Sequence, residues 1–314
     1  MHHRPLGKTG IEVSEIGFGA WAIGGDAWGP VEDQASLRAM ERALDLGVTF
    51  IDTADVYGDG HSEELVAQVL RGRRDRVIVA TKGGLMGHHR DPKQGPVYDT
   101  PEKVVRAFEA SLRRLETDYI DVYFDHIWWN DPRETEAFLT AFAQLKGEGR
   151  VRAVGVSTDD PEYVRDFDRD GTLDVVQLDY SVLNRRAEEH ILPYCQEHRI
   201  GVVVRGPLRM GLLTGKFTSD TQFPEGDIRQ NWPQEAWYRD QLAQAEALRP
   251  LTSAERSMGQ LALRFVLDHP AVSVAIPGAK TPGQVEQNVA ASTRPLLGDE
   301  DRELTEQVTR GGTA

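Results

Sequence analysis

Residues 48–82 read VTFIDTADVYGDGHSEELVAQVLRGRRDRVIVATK. This stretch decides the fold, because strand-like apolar runs alternate in it with a helix-like pattern. An apolar run ends at Asp52, residues 61–72 carry apolar residues at helical spacing, and a second apolar run ends at Lys82. A strand, a helix and a strand in this order are typical of a unit whose two strands lie parallel.

The same unit recurs along the chain with no linker between repeats. The candidate strands are 15–20, 48–52, 76–82, 120–125, 151–157, 173–178, 200–204 and 272–276. Most are continuously apolar, which is typical of strands buried on both faces. Eight such units predict a single (β/α)8 TIM barrel over residues 1–314. Two doubly wound domains are the alternative.

Two segments lie outside the repeat. Residues 3–15, HRPLGKTGIEVSE, predict a β-hairpin that closes the bottom of the barrel. Residues 206–250 predict an irregular excursion, so we expect long loops and extra helices on the C-terminal side.

Composition excludes several classes of protein. The net charge of −14 argues against nucleic acid or an anionic membrane as the partner. The single Cys195 fits a reducing compartment, and no apolar run approaches the roughly 20 residues of a membrane span. The first ten residues lack the apolar core of a signal peptide. We therefore expect a cytoplasmic protein that is a monomer or a weak oligomer.

Four reactive side chains fall where a barrel places its chemistry. Asp52, Lys82 and His126 lie at or just past the ends of three adjacent strands, and Tyr57 lies in the loop after the first of these. Taken singly, each has an ordinary structural explanation: a turn cap, a surface charge, a structural histidine or packing. Their coincidence at one mouth favours a catalytic site.

Together the four residues solve one chemical problem, which is to make a phenol donate a proton near neutral pH. A lysine ammonium about 4 Å from the phenol stabilises the phenolate by at most about 4 kcal/mol, which lowers the pKa of the phenol by roughly three units. Asp52 keeps Lys82 charged and in place, and His126 positions a carbonyl oxygen. This chemistry predicts protonation of an oxyanion as a carbonyl is reduced.

The motifs of nearly the whole chain, in order, resemble those of the aldo-keto reductase superfamily. They are GFGAWAIGG, FIDTADVYGDGHSEE, ATKGG, DYIDVYFDHIWW, VGVST, VVQLDYSVLNR, GPLRMGLLTGKF and IPGAKTPGQVEQN. The resemblance implies reduction of an aldehyde or ketone by NAD(P)H, with NADPH favoured and NADH possible. It assigns the catalytic tetrad to Asp52, Tyr57, Lys82 and His126.

The resemblance also implies a cofactor site along the barrel mouth. Its residues are Trp21, Asp52, Ser157, Gln177, Arg205, Gly206, Leu208, Gly211, Leu213, Lys216, Gly278, Lys280, Gln284, Gln287 and Asn288. Ser157 and Gln177 are placed at the nicotinamide carboxamide, and Lys280 beside the helix start at Thr281-Pro282 meets a 2′-phosphate.

At three of these positions the sequence departs from the family pattern. Thr158 follows Ser157 where Asn is usual, and Arg205 stands where an aromatic residue commonly stacks on the nicotinamide. Gln284 replaces a common Arg, which leaves Lys280 as the main argument for NADPH.

Aromatic residues surround the predicted mouth. Trp21, Trp28, Trp128 and Trp129 all fall in its loops and favour a pocket for sugars, aryl aldehydes or other flat carbonyls. We assign the substrate to Trp21, Tyr57, His126 and Trp128. Residues 83–99 form a polar loop that could also reach it.

Three other motifs do not indicate a binding site. Residues 17–22 match a dinucleotide-binding glycine pattern without the helix it needs, and residues 211–217 miss the P-loop spacing. The pairs His2-His3 and His88-His89 lack ligand spacing, so we predict no metal site.

Two other functions stay open from the sequence. One is a nucleotide-sensing regulatory subunit of the same fold, such as the potassium-channel β subunits that this family also resembles. The other is a barrel enzyme, such as an isomerase, that uses the tetrad without a hydride.

Overall fold

The central sheet has eight parallel strands arranged in chain order. The computed structural model describes residues 1–25, 27–29, 31–86, 97–127 and 129–310. The strands are β3 (Phe18–Gly19), β4 (Phe50–Asp52), β5 (Ile78–Gly83), β6 (Ile120–Asp125), β7 (Val151–Ser157), β8 (Val175–Asp179), β9 (Gly201–Arg205) and β10 (Val274–Ala275). All eight predicted strands are confirmed.

The first and last strands meet and close the sheet into a barrel. Parallel bridges join Ile16 to Ala275 and Gly19 to Gly278. The Gly17 amide also donates to the Ala275 carbonyl at 2.8 Å. The predicted (β/α)8 barrel is therefore confirmed.

A β-hairpin precedes the barrel, as predicted. Its strands β1 (His3–Pro5) and β2 (Glu12–Ser14) pair antiparallel. Gly7 in its turn has φ +56°, and a Cβ there would lie 2.2 Å from the amide nitrogen of Gly201, the first residue of β9. Only glycine permits this approach, so the hairpin seals the N-terminal end of the barrel.

Ten α-helices occur in the described residues. They are α1 (Asp33–Asp45), α2 (His61–Leu70), α3 (Pro101–Arg114), α4 (Pro132–Gly147), α5 (Pro161–Phe167), α6 (Ile191–His198), α7 (Ala236–Ala247), α8 (Met258–Leu267), α9 (Pro282–Val289) and α10 (Asp299–Arg310). The N-cap residues Asp160 and Thr281 accept amide hydrogen bonds from α5 and α9, whereas the Thr100 side chain makes no cap bond to α3.

The prediction of an irregular segment over residues 206–250 is wrong for its second half, which contains α7. Tyr238, Leu242 and Ala245 are the buried residues of this helix, and their spacing is helical. They pack on α8 and the neighbouring turns rather than on the barrel sheet, so α7 interrupts the strand–helix repeat. Helix α10 follows the last repeat.

Two layers of apolar side chains hold the barrel. One lies between sheet and helices, and the other fills the barrel interior with Phe50, Ala80, Val122, Phe124, Ala153, Val175, Val203, Val274 and Ile276, to which the hairpin adds Leu6, Ile11 and Val13. Within the described ranges, no helix is both long and apolar enough to cross a membrane.

Candidate active site

Strand geometry aims a ring of polar side chains into the barrel mouth. Side chains two residues apart on a strand point to the same face. Asp52, Lys82 and Gln177 each come two residues after an interior apolar residue, so each points inward at the carboxyl end of its strand. The apolar filling stops one layer below them, which leaves the mouth polar.

Lys82 is the centre of this polar layer. Its Nζ donates to Asp52 Oδ2 at 2.7 Å, to the Thr53 carbonyl at 2.8 Å and to the Tyr57 hydroxyl at 3.2 Å. The side chain is fully buried and each of its three N–H bonds has an acceptor. Gln177 Nε2 donates to the second Asp52 oxygen at 2.7 Å, so the carboxylate is fixed from both sides.

A tight turn brings Tyr57 back over the strand ends. Gly58 has φ +61°, and a Cβ there would lie 2.1 Å from the Gly24 carbonyl oxygen. The Tyr57 ring stacks on Trp21 at 6.0 Å and meets the edge of His126 at 5.7 Å. The His126 amide donates to the Gly83 carbonyl at 2.8 Å, which holds His126 beside the end of β5. The structure therefore brings the four predicted catalytic residues together.

Lys82 stays charged in this setting. Burial alone lowers the pKa of its ammonium, but the nearby Asp52 carboxylate and Tyr57 raise that pKa by more, above its ordinary value. Burial raises the pKa of Asp52, and Lys82 and the Gln177 amide oppose that rise. The two close hydrogen bonds at both Asp52 oxygens are those of an ionised carboxylate.

The expected lowering of the Tyr57 pKa is wrong in its net direction. Lys82 does lower the pKa of the phenol, but burial raises it by more, and the result lies above the ordinary value. Tyr57 is only 9% exposed, and a buried phenolate is costly. Tyr57 therefore carries its proton at neutral pH, and Lys82 limits how weak an acid it becomes.

His126 is uncharged. Burial lowers the pKa of its imidazole well below the ordinary value, and the Lys82 and Arg205 cations lower it further. Among the described residues, its buried Nδ1 has no hydrogen-bond partner. A neutral imidazole beside the phenol can donate a hydrogen bond to an oxygen bound there.

The residues predicted for the nicotinamide lie around the same mouth. Ser157 and Gln177 are register partners on β7 and β8, and both are buried. Arg205 ends β9, and its guanidinium pairs with Asp159 at 2.5 Å.

The segment predicted to follow the pyrophosphate, residues 206–217, has unusual backbone. Gly206, Arg209, Met210 and Gly211 all have positive φ, and residues Arg209–Thr214 form 3-10 turns that are broken by a kink at Met210 and Gly211. Leu213 is fully buried in the cluster between α7 and α8, and Leu208 packs against that cluster.

A cationic cluster lies where the phosphates were predicted. Burial lowers the pKa of Lys216 and of Lys280, and the Arg229 guanidinium lowers both further. The Asp227 carboxylate acts in the opposite direction and raises both. Lys280 Nζ donates to the Trp28 carbonyl, and Arg229 lies over the Trp28 ring at 4.7 Å. An uncompensated positive charge of this kind fits a phosphate.

Sequence reasoning missed Arg229, because Asp227 and Arg229 lie in the excursion where no motif marked them. Arg229 Nη2 and Asp227 Oδ2 lie 2.6 Å apart, and the Ile228 amide donates to the Ala27 carbonyl at 2.9 Å. The excursion is thus tied to the loop that carries Trp28.

The remaining predicted cofactor residues lie on or just before α9. Gln284 Oε1 accepts from the Lys280 amide at 2.7 Å, and Gln287 accepts from Gln260 at 3.4 Å. Asn288 is half-buried on the same helix, and Gly278 bridges to Gly19.

The predicted aromatic wall is present in part. Trp21 and Trp28 meet edge to face at 5.0 Å, and Trp21 is 37% exposed beside Tyr57. Trp129 donates its indole N–H to the Gly84 carbonyl at 3.0 Å. Trp128 and residues 87–96, with His88 and His89, lie outside the described residues. Within the described ranges, no group of three or more His, Cys, Asp or Glu side chains could hold a metal.

A buried acidic cluster behind the mouth was also missed, because its members alternate with the catalytic residues along the chain. Glu63 accepts from Thr81 at 2.5 Å and from Arg114 at 2.6 Å. Burial and the Glu63 charge raise the pKa of Asp55 to about 7. The Asp55 amide donates to the Lys82 carbonyl at 3.2 Å, so this cluster backs directly onto the site.

Known proteins match this chain over nearly its whole length. Residues 15–309 match the model of the Aldo/keto reductase family. Aldo-keto reductase YhdN of Bacillus subtilis is 38% identical over 295 residues, covering 91% of this chain and 87% of its own. The NADH-specific methylglyoxal reductase of Escherichia coli is 36% identical over 310 residues, covering 93% of each.

A solved structure agrees. The aldo/keto reductase from Klebsiella pneumoniae, in complex with NADP and acetate, has a TM-score of 0.75 and 30% identity, covering 95% of this chain and 92% of that one. The chain belongs to the aldo/keto reductase family of oxidoreductases.

Proposed function

We propose that this protein reduces the carbonyl group of an aldehyde or ketone to an alcohol with NAD(P)H. The observation that carries the proposal is the buried Lys82 ammonium bonded at once to Asp52 and Tyr57. The arrangement joins a protonated phenol to a fixed positive charge at the mouth of a closed barrel. These are the parts that protonation of a developing alkoxide needs.

Each residue of the tetrad has a defined role in the proposal. A bound NAD(P)H supplies a hydride to the carbonyl carbon. Tyr57 donates its phenolic proton to the carbonyl oxygen, and the Lys82 ammonium stabilises the negative charge left on the phenol. Neutral His126 donates a hydrogen bond to the same oxygen and orients it. Asp52 and Gln177 hold Lys82 in place and do not exchange protons with the substrate.

The charge distribution favours NADPH. Lys216, Lys280 and Arg229 together outweigh the single carboxylate of Asp227, and a bound phosphate would relieve their repulsion. Lys280 at the start of α9 is the candidate for the 2′-phosphate, and the α9 amides add to the attraction. NADH stays possible, since one relative is named NADH-specific and another was solved with NADP.

The aromatic wall defines the kind of substrate. Trp21 stacks on the Tyr57 ring and is partly open to solvent, so a flat or apolar-faced carbonyl compound could lie against it. Sugars, aryl aldehydes and other small carbonyls are the candidates. The regulatory-subunit and isomerase alternatives are not favoured, because the tetrad is assembled and the relatives are named as reductases.

The test is a titration of the purified protein with NADPH and with NADH, following tryptophan fluorescence. We expect saturable binding of NADPH, with Trp21 and Trp28 beside the site as reporters. A panel of aldehydes, sugars and quinones then identifies the compounds that are reduced. Failure of both cofactors to bind would overturn the proposal.

A further inference from the structure

Arg205 is a cation at the barrel mouth that does not belong to the tetrad, and an ion pair with Asp159 holds its side chain there. Arg205 comes two residues after the interior Val203, so its side chain starts into the mouth. Its Nη2 donates to Asp159 Oδ2 at 2.5 Å, and Asp159 Oδ1 accepts the Asp179 amide at 2.7 Å. Asp159 thus anchors the guanidinium to the ends of two strands.

The Arg205 charge reaches the reacting groups. After burial and Lys82, Arg205 is the third influence that lowers the pKa of His126. It also opposes the rise that burial causes in the pKa of Tyr57 and of Asp52. The mouth therefore holds two fixed cations, Lys82 below and Arg205 at the rim, each paired with one carboxylate, Asp52 and Asp159 respectively. A ring bound between the strand ends would lie beside both pairs.

The two redox states of a nicotinamide differ in charge. The reduced ring is neutral, whereas the oxidised ring, after it has given up a hydride, carries one positive charge. Where the Arg205 guanidinium lies nearer to the ring than the Asp159 carboxylate does, it disfavours the positively charged oxidised ring relative to the neutral reduced ring. An aromatic side chain at the same position would make no such distinction by charge.

We propose that Arg205 makes the site discriminate between the redox states of its cofactor, binding NADPH in preference to NADP⁺. The inference rests on the proposed function and deepens it, because it gives the site a direction. Weaker binding of the oxidised cofactor favours its release after each turnover, which suits carbonyl reduction over alcohol oxidation.

The test compares dissociation constants for NADP⁺ and NADPH in four forms of the full chain. They are the wild type, Arg205→Met, Arg205→Lys and Arg169→Met. Arg169 is the matched control, because it pairs with Glu136 at 2.6 Å and its side chain is 39% exposed, against 38% for Arg205. The two Met variants lose the same net charge.

In Arg205→Met we expect the ratio of the dissociation constant for NADP⁺ to that for NADPH to fall about three- to tenfold. The effect is no larger because solvent and the Asp159 carboxylate both screen the guanidinium charge. Arg205→Lys keeps the charge and should retain most of the wild-type ratio, and Arg169→Met should retain all of it. Circular dichroism and a thermal melt check that each variant is folded.

Two results would overturn the inference. One is an unchanged ratio in Arg205→Met, which would mean that the charge does not reach the ring. The other is an equal fall in Arg205→Met and Arg205→Lys, which would assign the effect to shape. Failure of the wild type to bind NADPH would instead refute the proposed function, so the two failures are distinguishable.

Discussion

Lys82 and Asp52 form a buried ion pair whose loss should show in stability as well as in activity. Lys82 is fully buried, Asp52 is 3% exposed, and their charged atoms lie 2.7 Å apart. In Lys82→Met the Asp52 carboxylate loses its cationic partner and keeps the hydrogen bond from the neutral Gln177 amide. Leaving one charge of such a pair uncompensated costs about 3–5 kcal/mol.

The double variant Asp52→Asn/Lys82→Met should recover most of this loss, because it no longer buries a charge. The assay is urea unfolding of the wild type, both single variants and the double variant at pH 8. We expect the double variant to be more stable than the sum of the single losses predicts, by about 2 kcal/mol or more.

The pH dependence gives a second readout for Lys82→Met. Without the lysine, burial raises the pKa of Asp52 unopposed by that cation, so the folded variant binds a proton more tightly than the unfolded chain does. Its stability deficit should therefore shrink as the pH falls towards 5. Additive losses in the cycle, with a deficit independent of pH, would refute the ion-pair reasoning.

Three further predictions concern neighbouring groups. The pKa of Asp55 is about 7, against an ordinary value of about 3.9. The free energy of unfolding of the wild type should therefore fall by up to about 4 kcal/mol between pH 4 and pH 8, and that of Asp55→Asn should not show this fall. The same pH dependence of stability in both proteins would contradict this. Lys280→Ala should weaken NADPH about five- to tenfold and NADH much less, and equal losses in a fluorescence titration would remove the 2′-phosphate assignment. Gly58→Ala places a Cβ 2.1 Å from the Gly24 carbonyl at φ +61°, so it should cost about 1–3 kcal/mol in thermal unfolding and displace Tyr57; a stable variant with normal turnover would show that the turn is not required.

The barrel could be predicted from the sequence because each strand is a short apolar run that ends at a helix start. Strands that are buried on both faces are continuously apolar, so they are easy to tell from helices in the sequence. The end of each strand then fixes the end of the barrel at which its last side chains lie. The strand ends alone therefore predict that Asp52, Lys82 and His126 lie at one end of the barrel. Extra helices were expected on the C-terminal side, but the position of α7 within residues 206–250 was not predicted, because its buried residues, such as Tyr238 and Leu242, face other helices and loops rather than the sheet.

The parts of the site that escaped prediction depend on contacts between distant segments. Arg229 becomes part of the cationic cluster only because the excursion lies against the loop of Trp28. The Tyr57 pKa rises because folding buries the phenol, and sequence spacing carries no measure of burial. Asp55 was passed over for the same reason.

The most direct test of the central claim is Tyr57→Phe, measured for reduction rate and for cofactor affinity in the same preparation. The account predicts that kcat falls by about 10²- to 10⁴-fold, because the proton donor is gone. The dissociation constant for NADPH should stay close to that of the wild type, since Tyr57 transfers a proton and does not hold the nucleotide. Near-wild-type turnover in this variant would contradict the assignment of Tyr57 as the general acid.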